Sequence, residues 1–83
     1  MDRQELGQRI VDWTPLLYHV ACGLLSGESD REDAVQSAIE KAWRKADSLR
    51  EPGKLKPWLV RILVNECHEV LRRRKREIPT ENL

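Results

Sequence analysis

The feature that most constrains the fold is the recurrence of apolar residues at helical spacing in three segments of an 83-residue chain. The clearest segment, WLVRILVNECHEVLRRRKR at residues 58–76, places apolar residues three and four positions apart and ends in five consecutive cations. That spacing builds one face of an α-helix, whereas a half-buried strand alternates every second residue. We find no strand pattern, internal repeat or low-complexity tract, so the sequence predicts an all-α, compact three-helix domain.

The first predicted helix carries its apolar stripe on residues spaced by three and four. The stripe consists of Leu6, Ile10, Trp13, Leu17, Val20 and Leu24. Pro15 interrupts it, which predicts either a kink or a helix that ends near Trp13 and restarts with Thr14 as its cap. Ser26-Gly27 predicts the helix end, with glycine in the left-handed C-terminal conformation.

The second predicted helix begins at SDRED, where Ser29 and Glu32 have the spacing of a capping box. Its apolar side comprises Ala34, Val35, Ala38, Ile39, Ala42, Trp43 and Ala46, and its polar side comprises Asp33, Gln36, Glu40, Arg44 and Asp47. So many alanines predict close approach to a neighbouring helix. Composition alone favours a solvated face and a protein-docking face equally for the acidic polar side.

The third predicted helix follows the turn REPGK, has Pro57 in its first turn and runs to about Lys75. Its buried arc comprises Leu59, Leu63, Cys67, Val70 and Leu71, and its opposite arc comprises Trp58, Arg61, Asn65, His68 and Arg72. We therefore assign residues 1–76 to one helical domain and residues 77–83 to a polar tail or linker.

Charge is distributed unevenly although the chain as a whole carries only +1. Residues 1–53 hold seven Lys/Arg and ten Asp/Glu, whereas residues 54–76 hold eight Lys/Arg and two Glu, a net of +6. A basic C-terminal turn that merely complements the helix dipole is the simplest alternative. Five cations in a row exceed that need, and the outward arc of the third helix combines stacking, phosphate-pairing and base-edge groups. Contact with a nucleic acid is therefore favoured.

Other classes of protein find little support. No stretch approaches the length of a membrane span, so we expect a cytoplasmic protein without a membrane partner. Cys22 and Cys67 form no CxxC pair, and a zinc site combining them with His19 and His68 is disfavoured because zinc ligands favour knuckles over mid-helix positions. No nucleophile-base set, glycine-rich phosphate loop or HExxH motif is present, so we predict neither catalysis, nor a metal, nor a cofactor.

Two segments together resemble region 2 of bacterial sigma factors, in the extracytoplasmic-function group of the sigma-70 family. The family pattern is an E-D-x-x-Q helix start, a later A-W, then W-L-x-R-I-x-x-N, an acid and an arginine run. The matching residues are Glu32, Asp33, Gln36, Ala42, Trp43, Trp58, Leu59, Arg61, Ile62, Asn65, Glu69 and residues 72–76. The resemblance covers residues 16–76.

The resemblance implies a non-catalytic function in transcription initiation. Family members dock the E-D-x-x-Q helix on the beta-prime clamp helices of RNA polymerase. The following loop and third helix melt the minus-10 promoter element and hold unstacked non-template bases. The implied polymerase-binding residues are Asp33, Gln36, Ser37 and Glu40. The predicted DNA-binding residues are Lys54, Leu55, Lys56, Trp58, Arg61, Asn65, His68, Arg72, Arg73, Arg74, Lys75 and Arg76, with the base pocket in residues 49–56.

The chain departs from the family pattern in ways that keep other readings open. It lacks phenylalanine, and Leu55 and Val60 stand where aromatics are usual. Glu69 replaces an aspartate and is expected to pair with an arginine such as Arg73. The family's second domain, region 4, is expected to be absent, through excision or natural truncation, because the chain ends in PTENL.

Two alternatives to promoter melting follow. One is a helical module that binds an anti-sigma factor or another regulator without opening DNA. The other is a helix-turn-helix protein that reads duplex DNA. We expect a monomer in isolation, with an anti-sigma factor as an additional partner.

Overall fold

In a computed structural model, which describes residues 2–77, three α-helices pack around one core. They are α1 (Arg3–Leu24), α2 (Glu28–Arg44) and α3 (Leu55–Glu77). Two 3₁₀ turns, Ala46–Ser48 and Pro52–Lys54, connect α2 to α3. The predicted all-α, three-helix fold is confirmed. α3 includes Glu77, the first residue assigned to the tail, and residues 78–83 of that tail lie outside the described residues.

α1 begins at a side-chain cap and continues through its internal proline. The Asp2 Oδ1 atom accepts a hydrogen bond from the Glu5 N–H at 2.8 Å, which satisfies one of the unpaired donors of the first turn. The alternative of a break near Trp13 is wrong, because the helix is continuous across Pro15. Residues on both sides of the proline, including Ile10 and Leu17, are buried in the same core. Their burial offsets the missing backbone donor, and the kink itself stays a prediction.

The link from α1 to α2 differs from the sequence prediction at both ends. Gly27 has a φ of −95°, so the left-handed helix end predicted there is wrong. Leu25 instead leaves the helix in an extended conformation with its side chain buried, and its carbonyl accepts a hydrogen bond from Arg31 Nε at 2.7 Å. α2 then starts at Glu28 with Gly27 as its N-cap, so the predicted capping role of Ser29 is also wrong. Glu28 and Asp30 place negative charge in the first turn, where the helix dipole favours it.

The core is built from apolar residues on the inward sides of all three helices. Its buried members are Leu6, Ile10, Leu17, Ala21, Leu25, Ala34, Val35, Ala38, Ala42, Leu55, Leu59, Leu63, Cys67 and Val70. The three alanines of α2 are fully enclosed, which agrees with the close helix approach predicted for them. Leu24, Trp43 and Leu71, which the sequence predicted on the apolar sides, are exposed.

Within residues 2–77, none of the helices combines the length and the apolar character that crossing a bilayer requires.

Pro57 lies in the first turn of α3, as predicted. This helix start positions the side chains of the candidate functional site.

Candidate functional site

The outward face of α3 presents the polar side chains that the sequence predicted for it. Arg61, Asn65, His68 and Arg72 are exposed, on the side opposite the buried residues Leu59, Leu63 and Cys67. Trp58 is half-buried and packs against the core with part of its ring. The helix therefore brings a cationic, an amide and an imidazole group into one row, with an indole at its N-terminal end.

A groove of about 370 Å³ lies at the N-terminal end of this row, between α3 and the loop that precedes it. Its lining residues are Ser48, Leu49, Arg50, Glu51, Lys54, Pro57, Trp58 and Arg61. Three of these are cations and one offers an aromatic ring. The groove falls where the resemblance placed the base pocket, residues 49–56, and it adds Ser48 and Pro57, which the sequence prediction did not include.

The loop that forms the groove is held by short-range contacts. Ser48 Oγ donates to the carbonyl of Lys45 at 2.7 Å, which stabilises the first 3₁₀ turn. Lys54 Nζ lies 3.7 Å from Glu51 Oε2, an exposed pair of the kind that contributes little energy. Because this pair contributes little energy, Lys54 and Glu51 can each leave it to contact a ligand at a small cost in free energy.

Two of the predicted DNA-binding residues point away from this surface. Leu55 is only 2% exposed and belongs to the core, because as the first residue of α3 it extends the inward line of Leu59 and Leu63. Its predicted DNA contact is therefore corrected. Lys56 lies on the side facing α1, where its Nζ is 5.5 Å from the centre of the Trp13 ring. A cation over an aromatic face is favourable, so Lys56 has a structural partner.

The basic end of α3 is partly neutralised by carboxylates. Arg72 pairs with Glu69 on the same helix, so the expected pairing of Glu69 with a nearby arginine is confirmed, with Arg72 as the partner in place of Arg73. Arg74 reaches α2, where its Nε and a terminal nitrogen donate to the two Asp30 oxygens at 2.9 and 2.8 Å. The hydrogen bond from Arg74 lowers the pKa of Asp30 below its ordinary range.

The three remaining cations of the run are exposed: Arg73, Lys75 and Arg76. Lys75 and Arg76 line an open groove of about 510 Å³ together with Glu69 and Arg72. The part of the run that can meet phosphates with least rearrangement is therefore smaller than the sequence suggested, and Arg74 has a structural role in joining α3 to α2.

The acidic stripe of α2 lies on a different side of the domain. Asp33, Gln36 and Glu40 are exposed and Ser37 is half-buried. Gln36 Nε2 lies 3.5 Å from Glu40 Oε1, at the limit of a hydrogen bond. The side of α2 that meets α3 carries Lys41, which pairs with Glu66 of α3. The acidic stripe therefore lies on a different side of α2 from the residue that pairs with α3.

The two thiols differ in environment. Cys22 is exposed and Cys67 is buried, and burial together with the neighbouring Glu66 raises the pKa of the Cys67 thiol. Across residues 2–77, no group of three or more His, Cys, Asp or Glu side chains is arranged to hold a metal ion.

Comparison with known proteins agrees with the geometry. The family model described as sigma-70 region 2 matches residues 10–77. RNA polymerase sigma factor SigV of Bacillus subtilis is 31% identical over 67 residues, covering 81% of this chain and 40% of the relative. ECF RNA polymerase sigma factor SigG of Mycobacterium tuberculosis is 37% identical over 67 residues, covering 78% of this chain and 18% of the relative.

A second sigma factor from Mycobacterium tuberculosis, SigM, is 46% identical over 46 residues, covering 55% of this chain and 24% of the relative. The chain thus spans less than half the length of these relatives. No solved structure matches the chain. Because the family match extends over most of the sequence and the relatives bear sigma-factor names, the chain belongs to the sigma-70 region 2 family, in its extracytoplasmic-function group.

Proposed function

We propose that this domain is the part of an RNA polymerase sigma factor that recognises and melts the minus-10 promoter element by binding its non-template strand. It acts without catalysis, as an adaptor between promoter and polymerase. The observation that carries the proposal is the cationic groove beside Trp58 and Arg61, which continues into the polar row of α3.

The groove has the chemistry that an unstacked base requires. Moving a base out of the duplex costs a few kcal/mol, and stacking on an aromatic ring returns about 1 to 3 kcal/mol per base. Trp58 is the aromatic residue in the groove lining. Arg50, Lys54 and Arg61 surround it with positive charge for the backbone phosphates.

Further contacts follow along α3. Asn65 and His68 are exposed one and two turns beyond Arg61, where an amide and an imidazole can hydrogen-bond base edges. Arg73, Lys75 and Arg76 supply phosphate contacts at the far end. The side chains of the proposed DNA surface are Arg50, Lys54, Trp58, Arg61, Asn65, His68, Arg72, Arg73, Lys75 and Arg76.

The acidic stripe of α2 is proposed to dock on the beta-prime clamp helices of the polymerase, through Asp33, Gln36, Ser37 and Glu40. A negative face does not favour DNA, and its separation from the α3 row allows both partners to bind at once. With few phosphate contacts of its own, the isolated domain should bind DNA with a Kd of roughly 10⁻⁴ to 10⁻⁶ M. Tight and selective binding is expected only on the polymerase.

The test measures binding of single-stranded and duplex oligonucleotides that carry a short randomised window, with and without core RNA polymerase. Sequencing the bound pool reveals any base preference. We expect selective single-strand binding that strengthens when polymerase is present. Asn65→Ala should reduce the base preference, and Gln4→Ala, which removes an exposed amide from α1, should not.

Other outcomes separate the alternatives. Preference for duplex over single strands would favour a helix-turn-helix reader. Absence of any strand or sequence preference, with or without polymerase, would show that the basic end is a general electrostatic patch, and the domain would then be a protein-interaction module.

A further inference from the structure

A second concave surface of the domain lies between α1 and α2. It is a shallow groove of about 280 Å³ that shares no lining residue with the groove beside Trp58. Its lining includes Gly7, Ile10, Val11, Ile39, Glu40 and Trp43. Val11 is 63% exposed and Trp43 is 37% exposed, so both helices contribute uncovered apolar surface to it. Apolar surface gathered in this way is typical of an interaction site.

The side of this groove that α2 forms is negatively charged. Glu40 is exposed and lines the groove, and Gln36 and Asp33 occupy exposed positions one and two turns before it. Positive charge enters beside Trp43, where the Arg3 guanidinium lies 4.0 Å from the centre of the ring. The α2 side therefore favours a partner that presents an apolar side chain among cations, because complementary charge supports docking and like charge opposes it.

The C-terminal end of α3 has a surface of this kind. Leu71 is 45% exposed, so a large apolar residue lies uncovered at the start of the basic run. His68 precedes it by three positions and Lys75 follows it by four, and residues at these spacings share a helix face. Arg76 is exposed next to Lys75. The end of α3 is therefore a basic helix surface with an apolar residue among its polar groups.

The groove and the end of α3 do not meet within one chain. The end of α3 is joined to the beginning of α2, because Arg74 donates two hydrogen bonds to Asp30. Glu40 and Trp43 lie further along the same helix, at about 15 to 20 Å from Asp30 for a helical rise of about 1.5 Å per residue. Contact between the basic end and the groove therefore requires two molecules.

We propose that the groove between α1 and α2 binds the end of α3 from a second copy of this chain, with Leu71 of that copy packed against Val11 and Trp43. Lys75 of the second copy then faces Glu40. The uneven distribution of charge supports this contact, since acids are in excess in residues 1–53 and Lys/Arg are in excess in residues 54–76. The contact is head-to-tail, because it joins two different surfaces of the same chain.

Self-association of this kind covers parts of both proposed functional surfaces. In one copy it covers the basic end of α3, and in the other it covers the acidic stripe beside the groove. An associated chain is therefore blocked at one surface or the other until it dissociates. Because the contact is small, association depends on protein concentration, and the monomer expected from the sequence prevails in dilute solution.

The experiment measures the mass of the 83-residue chain by sedimentation equilibrium at increasing protein concentration and low salt. A reductant prevents the exposed Cys22 from linking two chains. Val11→Lys blocks the groove and Leu71→Lys blocks the end of α3, since each change places an ammonium group in an apolar contact. Leu24→Lys is the matched control, because it makes the same change at an exposed apolar position of α1 outside the groove. Circular dichroism checks that every variant is folded.

The unsubstituted chain and Leu24→Lys should associate equally, and both should associate less as salt screens the charges. Val11→Lys and Leu71→Lys should each require about tenfold more protein, or more, to associate. An equimolar mixture of these two variants should form a complex of two chains and stop there. One variant supplies an intact end of α3, the other supplies an intact groove, and the two surfaces left over both carry lysine. Lys75→Glu, which keeps Leu71 in place, should also weaken association.

Three results would overturn the inference. One is a chain that stays monomeric at the highest concentration reached, and another is association that Val11→Lys and Leu71→Lys leave unchanged. The third is a mixture of these two variants that fails to associate although the unsubstituted chain does, because a head-to-tail contact must be restored by complementary variants. Neither polymerase nor DNA is present in these measurements, so their outcome is independent of the proposed function.

Discussion

The pair formed by Lys41 of α2 and Glu66 of α3 predicts an asymmetric response to mutation. The Glu66 side chain is 10% exposed, whereas the Lys41 side chain is 42% exposed, and the two form an ion pair. If Lys41 is removed, the Glu66 carboxylate stays at the helix interface without its partner. If Glu66 is removed, the Lys41 ammonium can turn towards water. Replacement of Lys41 should therefore destabilise the domain more than replacement of Glu66.

The magnitude follows from the burial of the two groups. Breaking a fully buried ion pair costs about 3 to 5 kcal/mol, and an exposed pair contributes about 0 to 1 kcal/mol. Because one partner is buried and the other is partly solvated, we expect Lys41→Met to lower the free energy of unfolding by about 2 kcal/mol. At about 4 to 8 °C per kcal/mol for a domain of this size, the Tm should fall by about 8 to 16 °C.

Glu66→Met should cost less than about 1 kcal/mol, since methionine fills the site and needs no ionic partner. The double variant should be more stable than Lys41→Met alone, because no unpaired carboxylate remains. Urea unfolding followed by circular dichroism, with linear extrapolation, measures all four proteins. Equal costs for the two single variants, or a double variant no more stable than Lys41→Met, would refute this account of the pair.

Three further predictions concern stability and reactivity. Gly7→Ala should stabilise the domain by about 0.5 to 1 kcal/mol in the same unfolding assay, because alanine is the better helix former. The added Cβ atom would be 3.5 Å from Trp43, which is an ordinary contact. A loss of stability would show that the ring cannot accept the methyl group. The Asp30–Arg74 pair lowers the folded-state pKa of Asp30. Its contribution to the free energy of unfolding should therefore be present above the unfolded-state pKa near pH 4 and be lost as the pH falls through the folded-state value. Asp30→Asn should remove this part of the pH dependence, and acid unfolding that is the same in both proteins would contradict the prediction. Cys22 should react rapidly with a thiol reagent in the native state. Cys67 should react only after unfolding, because it is buried and its thiol pKa is raised. Rapid modification of both thiols would show that the core opens readily.

Much of the fold was predictable because helix formation depends on near neighbours. The spacing of Leu59, Leu63 and Cys67 sets the inward side of α3, and the same spacing sends Arg61, Asn65 and His68 outwards. Since residues one or two turns apart share a helix face in any tertiary context, the candidate DNA row could be assigned without coordinates.

Cap residues were harder to predict, because several positions near Ser26-Gly27 satisfied the same local rules. Burial of Leu25 and its contact with Arg31 selected the actual helix boundary. The edges of the apolar stripes were also hard to predict: Trp43 and Leu71 have the period of core residues but are exposed, because the period does not show how far a neighbouring helix covers each face.

By itself, the sequence determined the helical class, the inward and outward faces of each helix, the uneven distribution of charge and the family resemblance. Each of these follows from residue type and short-range spacing. Only the tertiary structure showed that Arg74 pairs with Asp30, 44 residues away in the chain, that Leu55 belongs to the core, and that α1 and α2 enclose an apolar groove. Such contacts depend on how the helices lie against one another, and the helical period of each segment carries no information on that packing.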